Sequence, residues 1–197
     1  MMYDDVATAD ENPFKGTLYN NPNGVNVYDH EAIDYRKGDV TAENFYAVLR
    51  GDSEATGGMP VLKTDSNSKV FVYVSDHGAP GIVQMPNHDA IFADKLQETI
   101  DFMEENGMYD ELVFYIEACE SGSMFPKLGK NQNVYAATAT DAVQSSWAKY
   151  CTDEAIIDGV SLDTCLGDAF SVAWMEDAES HDPETETLDD QWEVMKA

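Results

Sequence analysis

Two stretches of the chain are apolar almost without interruption: "KVFVYVS" (69–75) and "ELVFYIEA" (111–118). Runs this short, rich in Val, Ile, Phe and Tyr, read as strands buried on both faces of a largely parallel sheet. Between them the period changes. In "ADKLQETIDFMEEN", Leu96, Ile100 and Met103 fall on one helical face, and Asn106-Gly107 supplies the stop. Together these segments make a strand-helix-strand unit whose crossover should be right-handed. "NVYAAT" (133–138) reads as a further strand, "TAENFYAVLRG" (41–51) as a helix ending at Gly51, and "FSVAWMEDA" (170–178) as another helix. "TLYNNPNGVNVYDH" (17–30) is turn-rich, with Pro22 and Asn23-Gly24 marking a loop. Near the end, Asp182 is the expected N-cap and Pro183 the first residue of a helix carrying Leu188, Trp192 and Met195. With no internal repeat and no second domain visible, the pattern predicts one α/β domain.

Composition agrees, since 197 residues with 43% apolar and 11% aromatic content can bury a sizeable core. No apolar run approaches the roughly 18 residues of a membrane span. The opening "MMYDDVATADENP" lacks the basic region and apolar run of a signal peptide. Charge changes the picture more. Thirty-eight acidic residues against eleven basic give a net charge of −27, which repels nucleic-acid phosphates and anionic membranes, so nucleic acid is set aside as a partner. So much acid fits a solvated surface, or a working pH low enough to protonate many carboxylates. Three cysteines, Cys119, Cys151 and Cys165, make no disulfide scaffold, and no CxxC spacing suggests zinc. Cys151 and Cys165 stand close enough in sequence to pair across a short loop; two reduced thiols are the more economical expectation.

Candidate chemistry appears where the two apolar strands end. "VSDHG" places His77 just past the first and "IEACESG" places Cys119 just past the second. In a parallel sheet both ends lie on the edge where open α/β folds bind ligands. A cysteine thiol, which ordinarily titrates at about pH 8.5, is mostly protonated at neutral pH, and a neighbouring imidazole can take its proton or stabilise the thiolate. Gly78 and the small residues around Cys119 leave room for a peptide carbonyl, and backbone N–H groups at such turns can form an oxyanion hole. A buried inert cysteine and a histidine that merely caps a loop are the structural alternatives.

The local sequences carry a resemblance. "SDHGAPGIVQMPN" (75–87) followed by "MYDELVFYIEACESGSMF" (108–125) closely resembles the legumain family of cysteine peptidases, the asparaginyl endopeptidases. The likeness continues through "MMYDD" (1–5), "NFYAVLRGD" (44–52), "NVYAATAT" (133–140), "SSWAKY" (145–150), "LGDAFSVAWMED" (166–177) and "ETLDDQW" (186–192). It implies a caspase-like three-layer α/β/α sandwich with a mainly parallel central sheet, and hydrolysis after asparagine, less readily after aspartate, with no cofactor or metal. By matching motifs, Cys119 is the nucleophile, His77 the general base and acid, and the N–H groups of Gly78 and Cys119 the oxyanion hole. Glu117, Ser146 and Asp168 match the specificity pocket, with Asp168 accepting from the substrate amide. In family members the aspartate before the histidine, here Asp76, can be found cyclised to a succinimide. The resemblance further implies protein and peptide substrates, a peptide-ligase side reaction, cystatin-type inhibitors and a lysosomal or vacuolar setting.

Legumains also carry a segment ahead of "MMYDD", with the signal peptide, the first core strand, an asparagine that orients the histidine and a pocket arginine. A C-terminal inhibitory domain follows in the family. The expectation is therefore a single caspase-like peptidase domain over 1–197, N-terminally truncated and missing its first core strand. The alternative reading is an inactive legumain-like fragment or pseudoenzyme acting as an acidic interaction protein. Two further features add little. "RGD" (50–52) closes a helix, and "EDAESHDPETETLDD" (176–190) lacks the ligand order of an EF-hand and reads as a solvated helix entry.

Overall fold

The strand-helix-strand unit is present in the computed structural model, which describes residues 1–129, 132–182 and 184–196. The chain divides into two compact units, one of Met1–Asp4 with His30–Ser145, the other of Asp5–Asp29 with Ser146–Ala197.

In the first unit, Thr41 caps α1 (Ala42–Leu49) by accepting from the Asn44 N–H at 3.2 Å. Gly51, at φ +68°, turns the chain out of that helix. Three strands, β1 (Lys69–Ser75), β5 (Glu111–Glu117) and β6 (Val134–Thr138), form a parallel sheet in the order β1-β5-β6. Between β1 and β5 the chain builds an antiparallel sheet from β2 (Gly78–Ala79), β3 (Ile82–Met85) and β4 (Asp89–Phe92), then α2 (Ala93–Glu105). Leu96, Ile100 and Met103 of α2 are buried in one cluster with Val70 and Val72 of β1 and Leu112, Phe114 and Ile116 of β5. The cluster is what the helical and strand periods predict: α2 offers one stripe and each strand one face. The unit is thus mixed α/β around a parallel sheet flanked by helices.

The β1 run reads in sequence as buried on both faces, but only β5 is buried that way. Phe71 is 53% exposed and its ring meets Tyr115 edge-on at 5.3 Å, while Tyr115 is 1% exposed. The cause is position: β5 is central among the three strands, and among the described residues β1 has a partner on one side only.

The second unit contains an antiparallel pair, β7 (Ala148–Cys151) with β10 (Cys165–Asp168), and a hairpin of β8 (Ile156–Ile157) with β9 (Val160–Ser161). Asp158 and Gly159 both take positive φ, as a tight two-residue hairpin turn requires. Helix α3 (Ala169–Ser180) leaves β10 directly, and α4 (Leu188–Met195) ends the described chain. The expected helix start at Asp182 is wrong, and Pro183 lies outside the described residues. Asp182 instead closes a turn, its side chain accepting from the Glu184 N–H at 2.9 Å. Thr187 is the cap, reciprocally bonded with Asp190 in a capping box. No described helix is long and apolar enough to cross a membrane.

The expectation of reduced thiols is also wrong: Cys151 and Cys165 form a disulfide. Sequence spacing is neutral on this point, but the β7–β10 register sets the two residues directly opposite each other. Closing a 14-residue separation should stabilise the chain by about 3 kcal/mol. Cys151→Ala is therefore expected to lower the thermal midpoint under non-reducing conditions, and dithiothreitol to reproduce that drop in the parent. A parent midpoint indifferent to reductant would show that the bridge contributes nothing.

Candidate active site

Parallel pairing carries β1 and β5 to a common edge, with Ser75 opposite Glu117 at their last register position. The pairing extends one step further, since the Asp76 N–H donates to the Glu117 carbonyl at 3.2 Å. Each strand then releases a candidate residue two positions on, His77 from β1 and Cys119 from β5. His77 is exposed, and Cys119 is half-buried and outside any disulfide.

The two turns meet closely at Gly78. A Cβ placed there would lie 2.0 Å from the Cys119 carbonyl oxygen and 2.9 Å from the Ala118 Cβ. Only a residue without a side chain lets the histidine turn close on the cysteine turn at this distance. A second tie comes from Ser123, whose Oγ accepts from the Gly81 N–H at 2.7 Å and donates to the Glu120 carbonyl at 2.6 Å. The cysteine turn is itself sharp, with Glu120 at φ +49° and its N–H donating to Gln144 O at 2.7 Å. Ser121, 1% exposed, exchanges bonds with Thr140, donating its N–H to Thr140 Oγ1 and accepting the Thr140 N–H, both at 3.2 Å.

The small residues at this site also bring backbones close together. The space beside Gly78 is taken by the Cys119 carbonyl, and a Cβ on Gly122 would lie 2.8 Å from the Asp141 carbonyl carbon. Smallness here serves close backbone approach. Ser123 and Thr140 are the residues that sequence reasoning passed over. Their signal was faint, a serine in "ESGSM" and a threonine after a strand, because the ties they make to Gly81 and Ser121 join residues distant in sequence.

Glu117 is 2% exposed at the end of β5, on the strand face opposite Phe114 and Ile116. Asp76 accepts the His77 N–H at 2.6 Å through Oδ1, so that nitrogen stands beside the carboxyl group that a succinimide ring would close upon. In the second unit, Asp168 is the last residue of β10 and immediately precedes α3. Ser146 lies just ahead of β7, next to Trp147, whose carbonyl accepts the Ala169 N–H at 2.8 Å. The arginine of "RGD" is engaged internally: Arg50 donates to Thr99 Oγ1 at 3.0 Å and lies 5.6 Å over the Phe102 ring.

Comparison with known proteins places the chain in a family. The model of the Peptidase C13 family matches residues 1–197. The chain is 48% identical over 200 residues to the legumain of Mus musculus, covering 100% of this chain and 44% of that protein. It is 44% identical over 198 residues to the vacuolar-processing enzyme delta-isozyme of Arabidopsis thaliana, covering 99% of this chain and 42% of that protein. The chain thus spans roughly two fifths of the length of these relatives.

Proposed function

The chain belongs to the Peptidase C13 family, and from that membership we propose that it serves as a cysteine endopeptidase cleaving after asparagine, and less readily after aspartate. The observation that carries the reading is the approach of the two strand-end turns, in which Gly78 rests on the backbone of Cys119. Cys119 Sγ attacks the scissile carbonyl carbon as His77 takes the thiol proton. Charge developing on the carbonyl oxygen is met by the N–H groups of Gly78 and Cys119. His77 returns the proton to the departing amine, leaving a thioester. Water, activated by the same histidine, then hydrolyses it. An amine in place of water gives ligation.

Selectivity is assigned to Glu117, Ser146 and Asp168. Asp168 accepts from the asparagine amide NH₂, a donor that leucine lacks and that lysine presents from a longer, charged stem. Aspartate becomes a substrate as acid protonates its carboxyl group, so its cleavage should rise toward low pH. Cystatin-type inhibitors and a lysosomal or vacuolar compartment belong to the same reading.

Fluorogenic peptides ending in Asn, Asp or Lys, offered to the chain at about pH 5.5, test it near the range where unperturbed histidine titrates. Release from Asn should exceed that from Asp, and Lys should give none. Equal release from Lys, or no release from any peptide, overturns the proposal; the latter favours the pseudoenzyme.

A further inference from the structure

We propose that Asp177, His181 and Glu186 form a binding site for a divalent metal ion of the zinc class, separate from the proposed peptidase chemistry. Asp177 and His181 lie on α3 and at its C-cap, four residues apart and hence on one face. Glu186 is brought to them by the turn that Asp182 closes, whose carbonyl accepts the Thr185 and Glu186 N–H groups at 3.0 and 3.1 Å. The Thr187 capping box bonds the next residue, so Glu186 lies between the Asp182 carbonyl bonds and that cap.

The spacing suits a coordination sphere. His181 Nδ1 lies 2.9 Å from Asp177 Oδ1 and 3.7 Å from Glu186 Oε1, and one donor atom from each residue lies within 4.8 Å of the others. With metal–ligand bonds of roughly 2.0–2.2 Å, neighbouring ligand atoms stand about 3–3.5 Å apart. One imidazole nitrogen with two carboxylates suits zinc and its neighbours better than calcium or magnesium, which favour all-oxygen sites.

Burial is the second observation. Asp177 is 3% exposed, and beyond the His181 Nδ1 contact at 2.9 Å its buried carboxylate oxygens have no well-formed hydrogen bond among the described residues. A buried carboxylate in that condition is costly without a cation nearby. His181 answers only in part, because Nδ1 also faces the Asp177 carbonyl at 3.2 Å and Ser180 Oγ at 3.3 Å. With neutral imidazole the three side chains carry two negative charges, which one divalent ion cancels while using the Nδ1 lone pair. A shared proton is the competing relief. Access is present: Asp177, His181, Ser180 and Glu176 line a cleft with Val194 and Met195, and Lys149 lines it too, a cation that competes with a metal ion for this site. The net charge of −27 concentrates cations at the surface.

The test uses the whole chain carrying Cys119→Ser, so that the Cys119 thiol does not ligate metal. After chelator treatment, zinc chloride is titrated in at about pH 7.5, where unperturbed imidazole is neutral, with calorimetry and thermal melting as readouts. One equivalent should bind and raise the midpoint. In the same background His181→Ala and Glu186→Gln should each weaken binding at least tenfold, while His77→Ala leaves it unchanged. Glu186→Gln preserves shape and carries the test if His181→Ala fails to fold. Absence of zinc binding, or binding indifferent to both changes, overturns the proposal. So does a midpoint that rises on acidification with no response to zinc, which assigns the pair of carboxylates a shared proton.

Discussion

Cys119→Ala should abolish the proposed asparagine-directed cleavage, lowering kcat by at least about 10⁴-fold, because loss of the proposed nucleophile removes the covalent route entirely. The disulfide makes this result clean to interpret. Cys151 and Cys165 are tied to each other, so among the described residues Cys119 is the cysteine left in the thiol form. Iodoacetamide should therefore label the unreduced parent at one site and the Cys119→Ala variant at none. Labelling and loss of turnover should follow the same time course. The folded state should survive the change, since Cys119 is half-buried and the turn around it is held by backbone bonds from Glu120, Ser121 and Thr140. Cleavage of the Asn peptide at the parent rate by Cys119→Ala would assign the activity to another group or a contaminant.

The elements that were legible in the sequence are those whose burial repeats. Strands β1, β5 and β6 and helices α1, α2 and α3 appear where apolar runs or a helical stripe predict them, because the core selects one face at a fixed period. The sheet β2-β3-β4 was not legible, since its strands are two to four residues long and mix "GA", "IVQM" and "DAIF". Neither was the Cys151–Cys165 bridge, which depends on the register of β7 against β10. The last helix start was misplaced because Asp182 and Thr187 are both good caps by type, and only the reciprocal bond with Asp190 separates them. At the candidate site, strand-end logic placed His77 and Cys119 on one sheet edge. It did not reveal that Gly78 touches the Cys119 carbonyl, a contact made between turns far apart in sequence.

That contact carries the second large effect. Gly78→Ala should lower kcat/KM for the Asn peptide by about 100-fold or more. The new methyl group would begin 2.0 Å from the Cys119 oxygen and 3.1 Å from its carbonyl carbon, both backbone atoms that no rotamer change can move aside. Relief requires the His77–Gly78 turn to withdraw from the cysteine turn by roughly 1 Å, a displacement on the scale that costs about 10²-fold in positioned catalysis. Overpacking should also cost about 1–3 kcal/mol of stability. Contact and not backbone freedom is the cause, since Gly78 is absent from the positive-φ glycines. Gly38→Ala is the matched control: it too lacks positive φ, and its added Cβ meets nothing within 4 Å, so turnover and thermal midpoint should stay at parent values. If Gly78→Ala kept parent turnover, close apposition of the two turns would not be what the proposed pairing of His77 with Cys119 depends on. If it lost turnover with an unchanged thermal midpoint, the methyl group would be acting on the proposed oxyanion-hole N–H itself and not through overpacking.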